Sequence, residues 1–201
     1  MKPCIVRQDV WYGDAPRWRA VHATDEYRQA VRAIVVPPPG VAPEDESFAA
    51  GLDELATRLE IWTLDLSEET AANPVPELVE LATATVGDRW GFASPPALIG
   101  IGASCASVAT AARDIHPAAI VFLGPEEPQL ADVVNALDCG DLRETPLLVV
   151  ATAECARAEP LTAAVTAFPL ASLVRLRTGH PEALETTSAN LAAAWLASLA
   201  T

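Results

Sequence analysis

The residues whose types and spacing are best suited to chemistry lie between Ala97 and Ala106, in the run Ala-Leu-Ile-Gly-Ile-Gly-Ala-Ser-Cys-Ala. The apolar half, 97–102, reads as a buried strand. It enters a turn of tiny residues, and a helix over 104–114 follows at once. A serine at the apex of such a strand-to-helix turn needs small neighbours two positions before and after it, because the backbone folds too sharply for larger Cβ groups. Gly102 and Ala106 stand at those two positions around Ser104. A hydroxyl so placed is a nucleophile. The amide-rich N-terminus of the following helix is aimed at it, where an oxyanion is stabilised. The pattern is short, and small residues between a strand and a helix also serve plain close packing. A register one residue later puts Cys105 at the apex between Ala103 and Ser107, and a thiolate is an equally competent nucleophile. Gly102 fits the serine register better on the steric demand of the turn.

The elements that must position this turn follow from periodicity and punctuation. Residues 3–12 and 17–23 read as two strands around a turn at 13–16, with no helix between them, and so as an antiparallel edge hairpin. Residues 25–32 form a short amphipathic segment. Ala33–Val36 is a strand halted by Pro37-Pro38-Pro39-Gly40. Helical periodicity covers 48–58, strand pattern 60–66, and a helix with proline in its first turn 76–90. After the central turn come strand 118–123, helix 127–137, strand 146–151, helix 161–167, strand 172–176 and an apolar helix over 186–199. Strands and helices alternate from residue 33 onward, so the expected class is α/β, a mostly parallel sheet covered on both faces.

Composition narrows the partners. The chain has 201 residues, of which 51% are hydrophobic, and its formal net charge is -14 with a single lysine, Lys2. That length suits one domain, 1–201, with a sizeable core. So acidic a chain repels phosphate backbones and anionic membrane surfaces, so neither nucleic acid nor membrane is an expected partner. The opening Met1–Arg7 reaches charge before any apolar run is long enough for a secretory leader, and the longest apolar runs are strand-sized. Cys4, Cys105, Cys139 and Cys155 are scattered without zinc-type spacing and read as reduced thiols of a cytoplasmic protein.

This order of elements, with the serine turn at its middle, resembles the α/β-hydrolase family, and among its members the lidless or short-lid, thioesterase-like ones. The resemblance spans about Ala33 to the C-terminus. Ile61–Leu66 resembles the strand before the helix that precedes the elbow. His116-Pro117 and Ala119–Leu123 resemble the stretch after the elbow helix, and Thr145–Val150 the strand leading to the acid. Gly179-His180, followed by Glu182, Leu184, Glu185 and a C-terminal helix, resembles the loop that carries the family's histidine. It implies a three-layer sandwich without a large lid, since only about twenty residues separate Gly124 from Thr145. Ser104 is then the nucleophile and His180 its base, in the expected chain order. His22 and His116 have no such context and read as structural or surface residues. The amides of Cys105 and Val41 bind the oxyanion, worth roughly 3 kcal/mol per donor. The family's aspartate would fall near Cys155, so Glu154, or Glu126 after the preceding strand, is left to orient the histidine. Pro37–Pro39 stands where the family usually has a His-Gly pair, and prolines donate no N–H.

Two functions follow. One is a serine acyl hydrolase acting on an ester or thioester, with an open site suited to a small acyl substrate or to one delivered on an acyl carrier. No metal or organic cofactor is implied. The other is a non-catalytic α/β-hydrolase-like protein that binds a ligand or partner, favoured by the missing aspartate and the altered oxyanion loop. A structural subunit pairing through an exposed edge strand is a third possibility.

Overall fold

The computed structural model describes residues 4–12, 15–23, 31–64, 73–86, 95–126, 133, 142–153, 159–177 and 180–200. Eight strands form one sheet in the order β1-β2-β4-β3-β5-β6-β7-β8. They are β1 (Ile5–Tyr12), β2 (Ala15–Ala23), β3 (Arg32–Val36), β4 (Glu60–Leu64), β5 (Ala97–Ile101), β6 (Ile120–Leu123), β7 (Leu147–Thr152) and β8 (Ala171–Leu176). The expected edge hairpin is present: β1 pairs antiparallel with β2, and β2 antiparallel with β4. Every other pairing is parallel.

Five helices connect or follow these strands among the described residues: α1 (Glu46–Ala56), α2 (Val75–Val86), α3 (Cys105–Ile115), α4 (Glu159–Ala167) and α5 (Thr186–Leu199). Period-two alternation explains why strands such as Ala33-Ile34-Val35-Val36 are apolar throughout. Ile34 and Val36 face a cluster that includes Leu78, Leu81, Val108 and Leu161, from α2, α3 and α4. Ala33 and Val35 face a second cluster with Phe48, Leu52, Ala192 and Leu196, from α1 and α5. The sheet is therefore dry on both sides, as a parallel sheet must be.

Several boundaries differ from the sequence reading. The segment read as amphipathic over 25–32 ends inside β3, which begins at Arg32; residues 24–30 lie outside the described ones. The helix read at 127–137 also lies outside them, except Val133, which is helical and buried. At the base of β3 and β4, the buried Arg32 guanidinium meets Glu60 at 3.3 Å, and the Trp62 indole donates to the same carboxylate oxygen at 3.1 Å. The hairpin is tied down by Arg7 to Asp53 of α1 and by Arg19 to Glu44.

One contact fixes the segment after β8. Gly51, inside α1, packs on the backbone of Leu184: a Cβ there would meet the Leu184 carbonyl oxygen at 2.1 Å and its Cγ at 2.6 Å. Leu184 is fully buried and left-handed at φ 51°. Glycine inside a helix ordinarily loses about 1 kcal/mol relative to alanine, so the close approach is what glycine provides here. Gly51→Ala is expected to destabilise the fold by about 1–3 kcal/mol, the overpacking cost outweighing the propensity gain. Urea denaturation measures it, and a midpoint that rises would show that the α1–Leu184 contact is looser than described.

Candidate functional site at the turn after β5

The chain leaves β5 through a single-residue reversal, and Gly102 makes it. Its φ is +55°, a left-handed value that glycine adopts without a Cβ penalty. Gly102–Ser104 then forms one 3-10 turn that runs directly into α3. Two residues before the reversal, Gly100 lies under the helix: a Cβ on it would meet the Cα of Cys105 at 2.9 Å and the Val108 side chain at 3.1 Å. The small residues that the sharp turn demands are therefore Gly100 and Ser104, and the apex between them is Gly102.

This corrects the position expected for Ser104. The serine does not sit at the apex; it is right-handed, at φ -74° and ψ -8°, one step into the helical segment. It is 2% exposed, and its hydroxyl donates to the Pro37 carbonyl at 2.5 Å, bolting the turn to the end of β3. The physical reason is local. A reversal in one residue is least strained at glycine, so the chain turns at Gly102 and winds Ser104 into the helix start. The expected strand end at Gly102 moves to Ile101 for the same cause.

Both expected oxyanion donors are already committed. The Cys105 amide donates to the Gly102 carbonyl, closing the 3-10 turn. The Val41 amide donates to Pro38 O at 3.1 Å across a turn whose third residue, Gly40, has φ +78°. Pro at the second position and a left-handed glycine at the third make this a type II turn. The next amide, of Ala42, is held by the Asp45 carboxylate at 3.0 Å. The thiol of Cys105 is buried against the Gly100 carbonyl at 3.4 Å, which rules out the apex position for it as well.

His180 is exposed and heads a 3-10 segment, Pro181–Ala183, whose Cα atoms come within 8 Å of Gly102–Ser104, of β5 and of β7. The segment is closed by Ala183 N–H donating to His180 O at 2.9 Å and anchored by buried Leu184. Of the two carboxylates expected to serve it, Glu126 is exposed just beyond β6, after buried Gly124 and Pro125. Glu154 lies outside the described residues, as does Cys155. His116 caps α3 in the left-handed conformation and is exposed, a structural role; the His22 side chain is not among those described. Sequence reasoning missed Gly102. The signal was available in Gly100-Ile101-Gly102-Ala103-Ser104, the same small-x-apex-x-small spacing read two residues earlier.

Solved structures share this architecture along nearly the whole chain. Dienelactone hydrolase from Anabaena variabilis superposes with a TM-score of 0.72 at 17% identity, covering 97% of each chain. A lidless α/β serine hydrolase from Xanthomonas campestris gives 0.64 at 16% identity, over 97% of this chain and 95% of that one. A hormone-sensitive-lipase homologue from a metagenome library, EstE7, gives 0.69 at 14% identity, over 98% and 87%. The fold is the α/β-hydrolase fold. Neither a protein-family profile nor a curated protein sequence matches the chain. In this α/β-hydrolase fold the chain reverses after β5 at a glycine, Gly102.

Ser104→Ala is expected to cost about 1–3 kcal/mol, because it strands the Pro37 carbonyl in a buried site. Chemical denaturation checks this, and an unchanged midpoint would mean that the Ser104–Pro37 bond does not hold the turn.

Proposed function

We propose that this chain uses the α/β-hydrolase fold to bind a small organic ligand, at the sheet edge formed by the C-terminal ends of the parallel strands, without cleaving it. One observation carries the reading: the residue that reverses the chain at the end of β5 is Gly102, which has no side chain to react, while the nearby serine is buried and hydrogen-bonded to backbone. Ligands of open α/β sheets bind beyond the carboxyl ends of the strands, and this is where the Gly102 turn and the His180 segment meet. A binding role also needs no orienting carboxylate beside His180 and no free donors at Cys105 and Val41.

A second reading is the serine acyl hydrolase, acting on an ester or a carrier-borne thioester. It is favoured by the His180 segment lying against the turn and by the esterase and hydrolase neighbours. In that reading Ser104 would leave its bond to Pro37, attack the carbonyl and pass its proton to His180, with Glu154 or Glu126 as orienter. The buried hydroxyl and the occupied amides make it the weaker account.

The two readings part on a fluorophosphonate probe. The binding reading expects no covalent labelling of the purified chain and no turnover of short-chain esters or thioesters above that of Ser104→Ala. Thermal shifts with a panel of acyl esters, amides and carboxylic acids then report the ligand class. Labelling mapped to Ser104, lost in Ser104→Ala, would establish the hydrolase instead.

A further inference from the structure

We propose that this chain forms a two-fold symmetric dimer in which β8 pairs antiparallel with β8 of a second copy, so that the two sheets join into one. The proposal does not depend on the ligand reading above.

The sheet has two outer strands, β1 and β8, and they are built differently. Outer strands are ordinarily blunted by charge, proline or a bulge, because their unpaired backbone is a template for another chain. β1 is blunted: it carries Arg7 and Asp9, and its register breaks at a bulge between Val10 and Trp11. β8 is not. It runs in unbroken register along β7 from Ala171 to Leu176, with no proline and no carboxylate. Among the described residues it is the one parallel strand without a buried residue. Leu170, the most exposed large apolar side chain among them, stands at its start.

The ladder with β7 fixes which backbone groups are left over. The Leu147 amide donates to the Leu170 carbonyl, so residues 170, 172, 174 and 176 turn their N–H and C=O toward β7. Those of Leu173 and Arg175 point outward, where no strand of this sheet meets them. A second copy pairs with them when Leu173 lies opposite its own counterpart. The two Leu173 residues then exchange both backbone bonds, and each Arg175 amide donates to the Ala171 carbonyl across the axis. Leu170 lands opposite Leu176 and is covered. A register centred on Val174 instead sets the two Arg175 side chains diagonally on one face, roughly 7–8 Å apart at the backbone, which like charges disfavour.

Charge selects a second copy as the occupant. The net charge of the chain is -14, yet β8 and the residue after it carry Arg175 and Arg177 and no acid. Leu173 faces the cluster that holds Leu161 of α4, and alternation puts Arg175 on that same face. α4 ends at Ala167, four residues before β8 begins, and its last turn has no basic residue. The negative end of its dipole therefore has no cation of its own in that turn. Antiparallel pairing carries Arg175 and Arg177 of the second copy past Ala171 and Pro169, beside that helix end, and symmetry repeats the contact. The fit needs a partner with a basic outer strand and a helix ending beside it, and this chain supplies both.

Sedimentation equilibrium and hydrogen exchange on the full chain test the proposal. Wild type is expected to sediment at twice the mass of one chain at about 50 μM and to dissociate on dilution. The amides of Leu173 and Arg175 are expected to exchange at least tenfold more slowly in the dimer than in the diluted chain. Arg175→Pro deletes an outward donor and leaves the bonds to β7 in place, a substitution that an outer strand tolerates; it is expected to fold and to be monomeric. Arg177→Glu, which lies beyond the ladder, is expected to raise the dissociation constant at least tenfold, and Arg177→Lys to keep it within a few-fold of wild type. A wild type that stays monomeric at that concentration overturns the proposal. So does a dimer whose Leu173 and Arg175 amides exchange as fast as in the monomer, and so does one that a folded Arg175→Pro leaves intact. If Arg175→Pro fails to fold, Arg177→Glu decides: an unchanged dissociation constant overturns the proposal.

Discussion

The close approach of α3 to β5 at Gly100 is the constraint on which the site depends. A helix whose Cys105 Cα would lie 2.9 Å from a Cβ on the strand leaves the chain no room to leave β5 gradually. It must reverse within one residue of the strand end, and only a left-handed residue does that. Everything at the turn follows from where this reversal falls. With Gly102 at the reversal, Ser104 turns inward to Pro37, Cys105 is buried over Gly100, and the 3-10 turn Gly102–Ser104 is set against the segment that His180 heads. The same tight seating lets Val108, Ala109 and Ala112 complete the apolar layer over β5 and β6. The turn is a product of packing, and its geometry is fixed by the core beneath it.

Most of the fold was legible in the sequence because it is written in patterns that survive tertiary context. Apolar runs of four to six residues between proline- and glycine-rich breaks gave the parallel strands, and the absence of a helix between residues 12 and 17 gave the antiparallel hairpin. That the segment after the last strand returns toward the turn was also legible, since so short a connection to the C-terminal helix has few places to go. The apex was not. Gly102-x-Ser104-x-Ala106 and Gly100-x-Gly102-x-Ser104 are both small-x-y-x-small, and a single sequence gives no φ angles. The deciding quantity is the depth of the helix over the strand, a tertiary property that selects Gly100 as the residue without room for a side chain.

The oxyanion donors show the same limit from the polar side. Counting amides along the chain identified Cys105 and Val41 as N–H groups near the expected site. Whether such a group is available depends on what else accepts from it, and buried or turn amides are nearly always taken. Here the 3-10 turn claims Cys105, and the type II turn of Pro38–Val41 claims Val41. The proline run that halts β3 also presents the Pro37 carbonyl to Ser104, an acceptor in a stretch chosen for lacking donors. One short loop thus occupies both the Val41 amide and the Ser104 hydroxyl.

Energetics account for glycine at the reversal. A side chain held in the left-handed region costs on the order of 1–2 kcal/mol, and a catalytic elbow bears that strain because the nucleophile must be there. A chain with no such requirement is more stable with glycine at the reversal. Elsewhere the protein accepts the same strain where packing compensates: Leu184 is left-handed and non-glycine, yet fully buried against Gly51. Exposed His116, at φ 49°, bears the same strain as the cap of α3. Left-handed side chains are therefore kept both where the core compensates and where a helix ends. At the buried reversal after β5, where the chain must turn within one residue under the start of α3, it has glycine, the residue that meets that demand without strain.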